Sequence, residues 1–340
     1  MDNNDFIFDD FDFENNFEPE IKPMNEVTNE VKQEPEKPKF SVLQAYGENL
    51  TDKQYVTNPA ISRDEELKKA ILILLSPEKS LVLTGPAGVG KTALVEGIAY
   101  KILNNDIPDA LKNFEIYKIN TSSLLGKYNN EGIEESKLQT LIDELKAKEN
   151  IILFIDEIHT LVIESRKGDV DFINMLKPGL DRGTLKIIGA TTTKEYEEFL
   201  LKDKAFLRRF EKVELCEPDQ ETTVKILMGS VKKIESSTGV KFPYTDWILE
   251  EVCKFIVNMT SEYKRVYETG GRYPDVSLAL LSKCFTYARF ENSPQVTFKH
   301  IYQAIVNCTS VYDDVIKKEL PVFKETFSEW LTKENVQMDI

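Results

Sequence analysis

The sequence predicts an α/β protein in which helices flank both sides of a parallel sheet and a smaller α-helical domain follows. Three observations carry this. Five short apolar runs, at residues 81–84, 114–119, 151–155, 184–190 and 212–216, alternate with amphipathic segments. Runs as continuous as Ile-Ile-Leu-Phe-Ile at 151–155 suit strands buried on both faces, the usual condition of a parallel sheet. After Pro218 the strand signal stops and only helical periodicity remains.

Taken in order, residues 1–40 read as a disordered arm dominated by Asn, Asp, Glu, Pro and Lys. Phe6, Phe8, Phe11, Phe13 and Phe17 alternate there with acids, a pattern that suits a docking peptide or a solubilising tail. Residues 41–218 form the α/β domain. Its first helix, 63–75, puts Leu67, Ala70, Ile71 and Leu74 on one side, and helices at 91–103, 134–148 and 170–180 separate the strands. Residues 219–310 make the helical domain, with segments 220–235, 246–259, 274–290 and 297–308. In the C-terminal stretch, 311–340, an amphipathic helix spans 321–332 with Pro321 in its first turn. Phe323, Phe327, Trp330 and Leu331 share one face, which is expected to pack on the helical domain.

Composition narrows the function classes. The formal net charge is −15, of which residues 1–40 carry −8, so a nucleic-acid-wrapping surface is not expected. No run approaches the roughly 20 apolar residues of a membrane span. The acidic N-terminus lacks the basic-then-apolar order of a signal peptide. Cys216, Cys253, Cys284 and Cys308 are far apart with no CxxC spacing, and the two histidines stand in no ligand pattern. The expectation is a cytoplasmic protein with reduced, mostly core-filling thiols and no structural zinc.

Two stations point to a magnesium-dependent ATPase. Gly85-Pro86-Ala87-Gly88-Val89-Gly90-Lys91-Thr92 matches GxxxxGK[ST] between a predicted strand and a predicted helix, which Ala93 continues. Glycines let backbone N–H groups close on phosphates, and the helix N-terminus adds partial positive charge. Lys91 is placed for the β and γ phosphates of ATP and Thr92 for Mg²⁺. The second station is Asp156-Glu157, delivered by the tip of the 151–155 strand. Asp156 is expected in the Mg²⁺ shell, and Glu157 is expected to orient and polarise the attacking water. The next strand ends in Thr191-Thr192-Thr193, hydroxyls suited to the γ-phosphate. Arg208 and Arg209 then precede the last strand; their guanidinium forks suit either a phosphate or a surface ion pair.

In this order the stations resemble the first ATPase domain of the Clp-type AAA+ unfoldases. The resemblance rests on Ser62-Arg-Asp-Glu-Glu66, the phosphate loop with Ala93-Leu-Val-Glu-Gly97, and the FIDEIHT run ending at Thr160. Leu176-Lys-Pro178, Gly189-Ala-Thr-Thr192 and the run at 204–210 complete it. Matches run from 41 to 218 and continue more weakly to Asn307. The resemblance implies a homo-oligomer, hexameric or helical, with ATP between protomers. It implies that Thr192, with Thr191 second, senses the γ-phosphate, that Arg208 and Arg209 act in trans, and that Ala60 and Ile61 line the adenine pocket. Gly126-Lys127-Tyr128, alone an ordinary exposed turn, becomes a pore loop in which Lys127 and Tyr128 face a translocating polypeptide.

The sequence also departs from that family. Ser62 stands where a glycine is usual, and Pro274-Asp275-Val276-Ser277 replaces Pro-Asp-Lys-Ala, losing the lysine of the second sensor. The second pore loop, around 163–170, is divergent. Within these 340 residues there is no globular N-terminal substrate domain, second ATPase domain, coiled-coil insertion or peptidase-docking loop. The expectation is therefore a single-ring unfoldase or remodelling chaperone acting on a protein substrate, or through a dedicated adaptor, without a peptidase partner. A nucleotide-dependent scaffold and a nucleic-acid-associated loader are the alternatives, and the presence of Glu157 favours turnover over a static switch.

Overall fold

Ile151, Ile152, Leu153, Phe154 and Ile155 send alternate side chains to opposite faces of a sheet, and all five are buried. The computed structural model describes residues 41–124, 127–130, 133–148, 150–166, 180, 185–267 and 271–338. The arm at 1–40 and nearly all of the helix expected at 170–180 lie outside them.

The sheet-bearing part runs α1 (Val42–Tyr46), β1 (Gly47–Asn49), α2 (Asp64–Leu75), β2 (Ser80–Thr84), α3 (Lys91–Leu103), β3 (Glu115–Asn120), α4 (Thr121–Leu124), β4 (Lys127–Asn130), β5 (Ile133–Ser136) and α5 (Lys137–Ala147). It continues with β6 (Ile151–Asp156), α6 (His159–Arg166), β7 (Lys186–Thr191), α7 (Thr193–Glu195), α8 (Lys204–Arg209) and β8 (Phe210–Glu214). Six strands form one sheet in the order β1-β3-β6-β7-β2-β8. The five expected strands are mutually parallel, and β1 adds an antiparallel edge, with Gly47 opposite Ile119. The sheet is therefore mixed. Three residues, Gly-Glu-Asn, are too few to carry the alternation that marks a strand.

One face buries Leu81, Leu83, Ile152, Phe154 and Ile188 beneath α2 and α3; the other buries Val82, Leu153, Ile155 and Ile187 beneath α5 and α6. Lys186, itself buried, ties the sheet to the C-terminal end of α2 by donating to the carbonyls of Ser76, Pro77 (2.8 Å) and Lys79 (3.2 Å). A cation at those carbonyls complements the helix dipole. The helix expected from residue 134 begins instead at Lys137. Ser136 caps it, accepting from Gln139 N, and 133–136 pairs with 127–130 as a hairpin.

The helical layer comprises α9 (Gln220–Thr238), α10 (Asp246–Met259), α11 (Asp275–Phe290), α12 (Phe298–Val306), α13 (Asp313–Thr326) and α14 (Ser328–Lys333). Asp219 caps α9 by accepting from Thr222 N at 2.7 Å, and Gly239 at φ +75° closes it. This layer has its own core around Phe255, Phe285, Phe298, Phe323 and Phe327. Phe323, Phe327 and Leu331 pack into it, as the C-terminal face was expected to do. The single helix expected over 321–332 is two, broken at Phe327: Leu331 lies on α14, and Phe323 on the earlier-starting α13. Asp313 and Asp314 supply its first-turn acids, and Pro321 sits on its exposed side in the interior, not in a first turn.

All four cysteines are free thiols. Cys253, Cys284 and Cys308 fill the helical core, and Cys216 is exposed. Among the described residues, no helix is long and apolar enough to cross a membrane.

Candidate active site

Because β3, β6, β7, β2 and β8 are parallel, their carboxyl ends share one edge of the sheet, where ligand crevices form in open α/β folds. Thr84, at the end of β2, leads into the glycine-rich loop, and α3 starts at Lys91. Gly85 and Gly88 take φ of +148° and +75°. A Cβ on Gly85 would lie 2.3 Å from the Leu215 carbonyl oxygen, and one on Gly88 would lie 2.7 Å from the Asp275 Cβ. Only glycine fits these two turns without displacing backbone or a neighbouring helix. The Lys91 ammonium donates to the carbonyls of Gly85 (2.8 Å) and Pro86 (2.9 Å). Burial lowers its pKa, against the opposing pull of the Asp156 and Glu195 carboxylates.

The tip of β6 carries the acid pair. Thr92 Oγ1 donates to Asp156 Oδ2 at 3.5 Å, so the hydroxyl and carboxylate expected around Mg²⁺ face one another. Asp156 Oδ1 accepts from Glu157 N at 3.1 Å, and Glu157 is exposed at φ +53°. A non-glycine residue in the left-handed region costs of order 1–3 kcal/mol and persists where its surroundings hold it. Here Ile158 N donates to Ala190 O at 3.1 Å, pinning the turn to β7, and Gly189 leaves room for the Ile158 side chain.

At the end of β7, Thr191 and Thr192 differ in what their hydroxyls are free to do. Thr191 is buried and donates to Glu195 Oε2 at 3.0 Å, while its Oγ1 lies 3.0 Å from His159 Nδ1. With its proton committed to the carboxylate, Thr191 accepts from the imidazole, which sets the tautomer with hydrogen on Nδ1. Thr192 forms a capping box with Glu195: its Oγ1 accepts from Glu195 N (3.2 Å) and its N donates to Glu195 Oε2 (3.0 Å). The Thr192 hydroxyl proton remains for the cavity. Burial alone would raise the Glu195 carboxyl, but the Thr192 and Thr191 donors and His159 hold it below its ordinary range.

These groups meet in a cavity of about 450 Å³. Ala87 through Ala93, Asp156, Glu157, Thr191, Thr192 and Glu195 line it, together with Ala60 and Ile61. Gly85 and Pro86 act from behind, through their carbonyls on Lys91. Ala60 N donates to Asn58 Oδ1 at 3.0 Å, and Ala60 packs on Gly97 of α3. The helical layer closes the cavity with Ile226, Lys233, Asp275 and Leu278.

Two groups of expected residues stand apart. Arg208 and Arg209, at the end of α8, do not line this cavity, and Arg208 is exposed. Lys127 and Tyr128 open β4, with Tyr128 opposite Glu135 in the hairpin; Gly126 lies outside the described residues.

With the geometry in place, residues 81–217 match the family described as ATPase family associated with various cellular activities (AAA). The chain is 40% identical over 270 residues to Chaperone protein ClpB of Aquifex aeolicus, and 42% identical over 229 residues to the ATP-dependent Clp protease ATP-binding subunit ClpE of Bacillus subtilis. The chain carries an AAA+ ATPase domain of the Clp type. The first alignment covers 78% of this chain and 25% of the relative; the second covers 66% and 32%. Among solved structures, Saccharomyces cerevisiae Hsp104 in its extended casein complex superposes with a TM-score of 0.65 at 33% identity, covering 79% of this chain and 45% of that one. The chain thus spans a quarter to a third of these curated relatives, and less than half of Hsp104.

Sequence reasoning overlooked three contributors to the Clp-type site. Arg63, buried, bridges the phosphate loop and the end of the sheet by donating to the carbonyls of Val89 (3.2 Å) and Cys216 (3.0 Å). His159 and Glu195 fix the β7 terminus. Arg63 and His159 lie inside quoted motifs, but spacing alone assigns them no partner. Glu195, three residues after Thr192, does complete a capping-box pattern readable from sequence.

Proposed function

We propose that this AAA+ domain hydrolyses ATP with Mg²⁺ and spends the energy on remodelling protein substrates as part of a homo-oligomeric ring. The observation that carries the reading is the convergence of Lys91, Thr92, Asp156, Glu157 and Thr192 on one cavity. The hard oxygen donors of Thr92 and Asp156 suit Mg²⁺, and Gly85, Gly88 and Gly90 give the loop the positive-φ turns that carry it from β2 into α3. When bound, Mg²⁺ supplies charge neutralisation on the phosphate oxygens.

The chain's own groups divide the remaining work. Lys91 and the N-terminus of α3 neutralise the β and γ phosphates. The Thr192 hydroxyl donates toward the γ-phosphate, and the Glu157 carboxylate accepts a proton from the attacking water while orienting it. Ala60 and Ile61 pack on the adenine. Arg208 and Arg209 do not line the cavity of their own chain, which favours delivery to a neighbouring subunit. A head-to-tail interface of that kind generates a ring when it closes. The Hsp104 relative is described in complex with casein, which supports a protein as substrate here. Tyr128 on the hairpin is the residue that would grip it.

The test joins two variants of the whole chain. Glu157→Gln is expected to bind ATP, abolish hydrolysis and accumulate assembled rings. Tyr128→Ala is expected to keep basal ATPase activity and lose action on an unfolded protein such as casein. Unchanged hydrolysis in the first removes Glu157 as base, and retained substrate action in the second ends the threading idea.

A further inference from the structure

Hydrolysis needs Glu157 and Thr192 held in a fixed relation, yet they leave the sheet on different strands, β6 and β7. Among the described residues the main chain connects those exits through Ile158 N to Ala190 O at 3.1 Å. A side chain adds a second connection. His159, the first residue of α6, is 9% exposed, places Nδ1 3.0 Å from Thr191 Oγ1 and 3.3 Å from Glu195 Oε2, and stacks on Phe199. We infer that His159 is a positioning residue for ATP hydrolysis, clasping the Glu157 turn to the Thr192 capping box through Thr191 and Glu195. This inference rests on the hydrolytic reading above.

A histidine that merely fills a core has partners of no consequence to the site. The partners of His159 are the groups that set Thr192. Glu195 accepts from Thr192 N and donates its own N–H to Thr192 Oγ1, so the Thr192 hydroxyl serves this cap as an acceptor and its proton is not spent on it. Glu195 also lines the cavity, close enough for its charge to act on Lys91. Without the imidazole, Thr191 loses its donor, and the Glu195 carboxylate is freer to turn toward Lys91 and the phosphates. His159 thus does two things at once. It sets the spacing between base and hydroxyl, and it keeps an acid directed away from an anionic substrate.

The test compares His159→Ala, His159→Asn and His159→Gln in the full chain by steady-state ATPase kinetics, fluorescent ATP-analogue binding and thermal midpoint. Small displacements of a catalytic geometry are worth about tenfold to a hundredfold in rate. His159→Ala is expected to lower kcat at least about tenfold while KM and analogue affinity stay within about twofold. Asn places an amide N–H near the position of Nδ1 and is expected to recover kcat to within about threefold of the parent, whereas Gln, reaching toward the Nε2 position, stays low. Wild-type kcat in His159→Ala, equal rates for Asn and Gln, or a fall in kcat matched by lost affinity and a lowered midpoint would each overturn the assignment. If the unsubstituted chain shows no turnover, the hydrolytic reading fails and this inference goes with it. That outcome is distinct from a loss confined to the variants.

Discussion

Asp275 lies so close to Gly88 that a β-carbon on the glycine would sit 2.7 Å from the aspartate's own. Since Asp275 opens α11, the helical layer touches the phosphate loop directly. Gly88→Ala would add that clash to a backbone at φ +75°, a combined cost of order 1–3 kcal/mol. The expected outcome is at least about tenfold weaker binding of a fluorescent ATP analogue, with a lower thermal midpoint in the free chain. Unchanged affinity would mean that contact with α11 does not help shape the phosphate loop.

Ser62 occupies φ +56° on the exposed approach to Arg63, at the position where the Clp-type pattern has glycine. The left-handed region costs an L-residue roughly 1–2 kcal/mol, offset in part by about 0.5–1 kcal/mol of extra chain entropy that glycine loses on folding. Ser62→Gly is therefore expected to stabilise the chain by about 0.5–1 kcal/mol, seen as a thermal midpoint higher by about 1–3 °C. A lower midpoint would show that the serine side chain makes a compensating interaction.

Glu217 lies in the segment joining β8 to α9 and is held by residues between α10 and α11. Arg265 Nη1 (2.8 Å), Tyr273 N (2.8 Å) and Arg272 Nη1 (3.1 Å) all donate to it. Burial would raise its carboxyl, but these donors bring it below the ordinary 4.5. A depressed carboxylate contributes stability that is complete above its unfolded pKa and disappears as pH falls through its folded one. Glu217→Gln is expected to flatten the fall of thermal midpoint with pH below about 4.5, measured by a melting series against the parent. Parallel curves would exclude Glu217 from the acid response.

For Arg208 and Arg209 the decisive measurement is complementation. Replacing both with Ala is expected to abolish ATPase activity without preventing folding. Mixing that variant with Glu157→Gln protomers is expected to restore a fraction of turnover, because each supplies what the other lacks. Mixtures as inactive as their components would place the arginines' action within their own subunit.

The sheet was legible chiefly because β2, β6 and β7 are buried on both sides, so hydrophobicity ran nearly unbroken through them. The phosphate loop was legible because its chemistry requires particular residues at particular spacings. What escaped notice was set by partners distant in the chain. β1 exists because β3 offers it an edge, and the polar hairpin of β4 and β5 has no apolar face to announce it. Pro321 suggested a helix start that Asp313 and Asp314 in fact provide, two turns of helix before it. The clasp between His159 and Thr191 joins positions 32 residues apart, a distance that no local pattern spans.

The distribution of thiols has a practical consequence. Burial pushes Cys253 and Cys284 up to about 12 and raises Cys308, so in the folded chain these three resist alkylation. Cys216 is exposed, and its own carbonyl is gripped by the Arg63 that also holds the phosphate loop. A maleimide dye added to the unaltered protein should therefore attach with unit stoichiometry at the junction between the sheet and the helical layer. The molecule carries its own attachment point for a fluorescent reporter, with no cysteine to engineer.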